Sequence, residues 1–139
     1  MFSKKINQQW RLRLQKGEEI VTSITRFCVD NQIKLGSITG IGAVDKVKLG
    51  LYDSKKKQYN TKEFFEDMEV TSLVGNVSLK DGKPFLHLHI TLANSDFKVF
   101  GGHLYEAYIC ATGEIILDEI NGSVDRFLDS ETNLHLLDL

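Results

Sequence analysis

The sequence predicts one α+β domain over residues 1–139, with a largely antiparallel sheet of about seven strands and one main helix packed on it. Three observations carry this. The chain has 139 residues, 42% hydrophobic and 26% charged, an ordinary globular composition at a length that closes a core without disulfide or metal staples. Only one stretch spaces its apolar residues as a helix does, whereas period-two alternation recurs through the rest. Hairpin-type turn residues separate most of the extended segments, which favours antiparallel neighbours.

The elements follow in order. Trp10, Leu12 and Leu14 alternate with Arg11, Arg13 and Gln15, predicting a first strand with one wet face that Lys16-Gly17 ends. From Glu18 the apolar positions Ile20, Ile24, Phe27 and Cys28 form a helical stripe widened by Val21, predicting a helix over 18–31. Glu18 and Glu19 would sit in its first turn, where the helix dipole favours anions, and Asn31 would supply a left-handed cap. Gly36 to Val44 alternates small or polar residues with Ile and Val, and glycine in a strand suggests a bulge or a close backbone. Val47, Leu49 and Leu51 alternate with Lys46, Lys48 and Gly50, and Lys55-Lys56-Lys57 after Asp53-Ser54 reads as a solvated hairpin turn. Phe64 and Phe65 precede a strand over 69–79, which Lys80-Asp81-Gly82-Lys83 turns into the next, Phe85–Leu92. A further extended region runs from Phe97 into Tyr108–Ile120, and Val124–Leu139 reads as a docking tail.

No apolar run approaches the ~18–20 residues that cross a bilayer, and Met1 to Lys5 lacks the apolar stretch of a signal peptide, so a cytoplasmic protein is expected. Cys28 and Cys110 fit no Cys-x-x-Cys spacing and are expected as buried free thiols. The net charge of −2 argues against a dedicated basic nucleic-acid binder. It hides an asymmetry, however. Residues 1–62 hold 13 basic and 5 acidic side chains, whereas residues 63–139 hold 4 and 14. Such a split makes either a basic face for an anionic partner or two halves that complement each other within the fold.

Three of the four histidines fall close together, as His87 and His89 in Phe85–Leu92 and as His103 after Gly101-Gly102. On a strand His87 and His89 share one face, while Leu86, Leu88, Ile90 and Leu92 share the core face. His103, returning on a neighbouring strand, would complete an open metal site of three neutral imidazoles, with the Gly-Gly pair letting backbones approach. Such donors suit zinc, with nickel, iron or copper as alternatives. Asp96 and Glu106 are the nearby carboxylates that could orient the imidazoles. His135, alone between Leu134 and Leu136, reads as an ordinary residue. Other chemistries lack their motifs: there is no Walker loop, Gly40-Ile41-Gly42 lacks a third glycine, and no serine sits in a nucleophile elbow.

Pro84-Phe85-Leu86-His87-Leu88-His89, followed by Val99-Phe100-Gly101-Gly102-His103-Leu104, resembles the signature of the plants-and-prokaryotes-conserved (PPC) domain family. The resemblance extends to Gly17–Ile20, Ser37–Val44 and Glu69–Gly75, and so covers nearly the whole chain. It implies an α+β homotrimer with a metal held by His87, His89 and His103. Plant members carry AT-hooks that bind AT-rich DNA ahead of this domain, which itself serves trimerisation and contacts with transcription factors. Bacterial and archaeal members are commonly labelled DNA-binding. Here no Arg-Gly-Arg-Pro hook occurs, and Glu66-Asp67-Met68-Glu69-Val70 stands where plant members show Gly-Arg-Phe-Glu-Ile, so the chain is similar to the stand-alone bacterial or archaeal type. The expected function is a zinc-binding, DNA-associated or regulatory trimer, with Lys46, Lys48 and Lys55–Lys57 as the basic residues for DNA. The alternative is a metal-dependent enzyme acting on a small molecule through a metal-activated water. A plain trimerisation scaffold is the third reading.

Overall fold

The computed structural model describes residues 1–139, and its strands are longer than the alternation alone suggests. β1 (Phe2–Ile6) and β2 (Gln9–Gln15) form a hairpin, with Asn7 in the left-handed region at φ 56°. β1 was not expected, because all five of its residues are exposed and no buried face imposes an alternation. In β2, Leu12 and Leu14 point into the core, as the pattern predicts.

The helix α1 (Ile20–Asp30) is shorter than the expected 18–31. Glu19 is its N-cap: the carboxylate accepts from the backbone N–H groups of Val21 at 2.9 Å and Thr22 at 2.6 Å, satisfying donors that the first turn leaves orphaned. Glu18 lies outside the helix and instead accepts from the Gln15 N–H and the N-terminal ammonium. Asn31 is not left-handed (φ −104°); Gln32, at φ 57°, takes that conformation, while the Asn31 amide donates to the Phe27 carbonyl. The stripe Ile20, Ile24, Phe27 and Cys28 is buried as expected. Burial pushes the Cys28 thiol up to about 12, leaving it inert, whereas Cys110 is only half-buried.

The two segments expected at 36–44 and 47–51 are one strand, β3 (Gly36–Asp53), bent by register shifts between Gly40 and Gly42 and between Val44 and Lys46. The strand expected at 69–79 is the second half of β4 (Gln58–Lys80), which also contains Phe64 and Phe65. Lys55–Lys57 form the turn between β3 and β4, where the Asp53 carboxylate accepts from the N–H groups of Lys55 and Lys56. Asp81 and Gly82 both take positive φ in the tight turn to β5 (Lys83–Ala93), the backbone twist that an Asp-Gly hairpin requires. β6 (Val99–Glu119) follows, and the tail folds into a second hairpin, β7 (Arg126–Asp129) and β8 (Leu134–Leu137), giving eight strands rather than about seven.

All strand pairings are antiparallel, in the order β1-β2-β6-β3-β4-β5. A further β5–β6 pairing closes β3, β4, β5 and β6 on themselves, with β1–β2 extending the sheet from β6. The core joins the buried stripe of α1 to Val44 and Val47 on β3, Leu88, Ile90 and Leu92 on β5, and Ile109 and Leu117 on β6. No helix is long and apolar enough to cross a membrane.

Candidate metal centre

The two faces of β5 separate as the alternation requires: Leu88, Ile90 and Leu92 are buried, whereas His87 is half-buried and His89 exposed on the opposite face. His103 on β6 is the direct cross-strand partner of His89 in the β5–β6 ladder. Opposed residues on paired strands lie within about 5.5 Å of each other, and the three imidazole centroids are 5.2 to 5.5 Å apart. One nitrogen from each ring lies within 4.8 Å of the others.

The glycines explain how the strands come so close. A Cβ at Gly101 would stand 2.3 Å from the Ile90 carbonyl oxygen, closer than any side chain tolerates. Gly50, opposite His103 on β3, leaves room for aromatic rings, since a Cβ there would fall 2.6 Å from the Tyr105 ring and 2.9 Å from Tyr59. Those two rings pack on His103, with centroids 4.9 Å away for Tyr59 and 5.0 Å for Tyr105.

The electrostatics favour the neutral form of His87 and His103. Burial, reinforced by the neighbouring His87 and His89, lowers His103 to about 4; burial, His89 and the Arg126 charge lower His87. A neutral imidazole has a free lone pair, the form a metal ligand needs. The Nδ1 of His103 is buried with no hydrogen-bond partner. An orphaned ring nitrogen within a group of three converging imidazoles fits a transition-metal ion, so the three histidines could hold one.

Neither expected carboxylate supports the rings. Asp96 lies in the turn after β5, where it pairs with Lys98 at 3.1 Å. Glu106 is the backbone ladder partner of Lys48 on β3, and the register shift beside it leaves Tyr105 against His103 instead. Neither hydrogen-bonds a histidine, so no carboxylate fixes an imidazole here.

The cluster opens onto a cavity of about 520 Å³ that the β7–β8 hairpin covers. Tyr59, Asn76, Phe85, His87 and His103 line its floor, and Arg126, Leu134 and His135 its roof. Arg126 donates from Nε to Ser78 Oγ at 2.7 Å, from Nη1 to the His135 carbonyl at 2.8 Å and from Nη2 to Asn76 Oδ1 at 2.9 Å. Sequence reasoning missed these roof residues and both tyrosines, because their neighbours in space are distant in the chain. His135 stays outside the histidine cluster, as expected, yet its Nδ1 is buried and unpartnered at the cavity.

The Plants and Prokaryotes Conserved (PCC) domain model matches residues 1–121. A candidate DNA-binding protein from Bacteroides thetaiotaomicron has a similar solved structure, at TM-score 0.96 and 34% identity, covering 99% of this chain and 96% of that one. A metal-containing protein from Archaeoglobus fulgidus matches at TM-score 0.88 and 37% identity, covering 100% and 99%. A plant- and prokaryote-conserved protein from Pyrococcus horikoshii matches at TM-score 0.88 and 33% identity, covering 97% and 94%. No curated protein matches the chain.

Proposed function

The chain belongs to the Plants and Prokaryotes Conserved domain family, and from that premise we propose that it is a homotrimeric zinc protein with a DNA-associated regulatory role. The carrying observation is the convergence of His87, His89 and His103 from two paired strands, with ring nitrogens within 4.8 Å of one another. Three imidazoles with no carboxylate or thiolate beside them favour zinc over the harder cations. The likeness to a metal-containing archaeal protein supports the same reading.

The DNA-associated part draws on the candidate DNA-binding proteins among the similar structures, from Bacteroides thetaiotaomicron and from Ralstonia eutropha. Of the expected basic residues, Lys48 pairs with Glu63, Lys56 stands near Asp53, and Lys46 lies over the Phe65 and Tyr108 rings. The β1–β2 ribbon offers freer charge, with Lys4 directly opposite Arg11. Elemental analysis of tag-free protein should find one zinc per chain, and sedimentation should find a trimer. Duplex DNA should bind at about 50 mM salt and weaken steeply as salt rises. No binding at that salt overturns the DNA role, and absence of stoichiometric metal overturns the zinc site.

A second reading, a metal-dependent enzyme, is favoured by the cavity beside the cluster, where a closed structural site would have a fourth protein ligand. A bound zinc would supply an activated water or polarise a substrate oxygen. His87, His89 and His103 would hold it, while the Tyr59 and Tyr105 rings wall the side of His103.

A further inference from the structure

We propose that the cavity between the histidine cluster and the β7–β8 hairpin binds a small organic carboxylate, whose charged end lies on the Arg126 guanidinium and whose carbon skeleton lies among the aromatic and aliphatic walls. The family model ends at residue 121, so the hairpin that carries Arg126 lies beyond it.

The argument starts from charge. Residues 63–139 hold 14 acidic side chains against 4 basic ones, yet no aspartate or glutamate lines this cavity. Arg126 is one of those four cations, and it forms no ion pair. Its three acceptors, a hydroxyl, an amide oxygen and a backbone carbonyl, are all neutral and leave its charge uncompensated. A guanidinium has five N–H donors; two remain unused, one on each terminal nitrogen. A charge held half-buried without an opposite partner is costly unless something anionic visits it.

The shape of the site narrows the class of anion. The guanidinium lies over the Phe85 ring, its Cζ 5.1 Å from the centroid, and its three hydrogen bonds fix the fork in place for a planar, bidentate acceptor. Phe85, Leu134 and Leu136 make the walls apolar, so the ligand carries carbon as well as charge. A volume of about 520 Å³ is in the range of small-molecule sites. The inference rests on the metal reading only for a second positive charge at the far end of the cavity, where an ion held by neutral imidazoles would leave its own charge uncompensated.

The test is calorimetric titration of zinc-loaded and chelated protein with butanoate, its neutral isostere butanamide, and inorganic phosphate. Butanoate should bind saturably and butanamide should not. The Arg126→Gln variant, with zinc content unchanged, should bind butanoate at least tenfold more weakly, and Arg126→Lys should fall between. Because Arg126 also ties the hairpin down, the intact protein supplies an independent readout. Among Arg11, Arg13, Arg26 and Arg126, only the Nε–H resonance of Arg126 should shift with butanoate. Equal binding of butanoate and butanamide, no butanoate binding, phosphate binding alone, or an unmoved Arg126 resonance would each overturn the proposal. Arg126-dependent binding in a protein without stoichiometric metal would leave the carboxylate site standing and remove the zinc reading.

Discussion

The floor and the roof of the cavity are built by different means. The floor histidines stand on ladders: His89 faces His103 on β6, and His87 faces Asn76 on β4, so continuous backbone hydrogen bonding fixes their positions. The roof is a four-residue strand pair whose ties to the rest are few. They are the Leu79 N–H to the Val124 carbonyl at 2.8 Å, the Arg126 bonds to Ser78 and Asn76, and the Tyr52 hydroxyl to the Thr132 carbonyl at 2.6 Å. Phe127, Leu128 and Leu136 are exposed on it. Ligand geometry is thus set by rigid elements, while access is left to a segment of low local stability.

Substitutions that attack the floor should have the largest effects. Gly101→Val places carbon where the Ile90 carbonyl already stands, so β5 and β6 must part; chemical denaturation should show a loss of about 3 kcal/mol or more, together with loss of metal. An unchanged midpoint would show that the strands approach less closely than described. His103→Ala leaves the ladder intact and removes one of three ligands, so zinc affinity should fall more than ~100-fold with the far-ultraviolet dichroism unchanged.

Acid should separate floor from roof more gently. With His103 near 4 and His87 lowered against an ordinary 6.5, the unfolded chain takes up protons that the folded chain refuses. Stability of the chelated protein is therefore complete above pH 6.5 and declines as pH falls towards 4. His103→Asn should flatten that decline in thermal melts, and an unaltered slope would assign it elsewhere. The smallest effect belongs to the roof: Tyr52→Phe removes one hydrogen bond, worth about 1 kcal/mol. Hydrogen exchange should accelerate in the β7–β8 hairpin alone, with zinc content unchanged; acceleration across β5 would show that floor and roof are coupled.

The floor was legible in the sequence and the roof was not. His-x-His against an alternating leucine face needs only strand parity to place two rings together, and Gly-Gly before His103 announces a close backbone. β1 left no trace because it buries nothing. Arg126 could not be read because its acceptors, Asn76 and Ser78, lie about fifty residues upstream. Glu106 was expected near the histidines by proximity, but a single register shift in β6 gave that place to Tyr105.

The pairing that closes the sheet on itself is short, five residue pairs from His89↔His103 to Ala93↔Val99, and the histidines stand at one end of it. An ion bound there would clamp the seam along which the barrel must part. Unzipping would then wait on ligand exchange, and the lifetime of the folded chain would track the residence time of the metal rather than the equilibrium stability of the sheet.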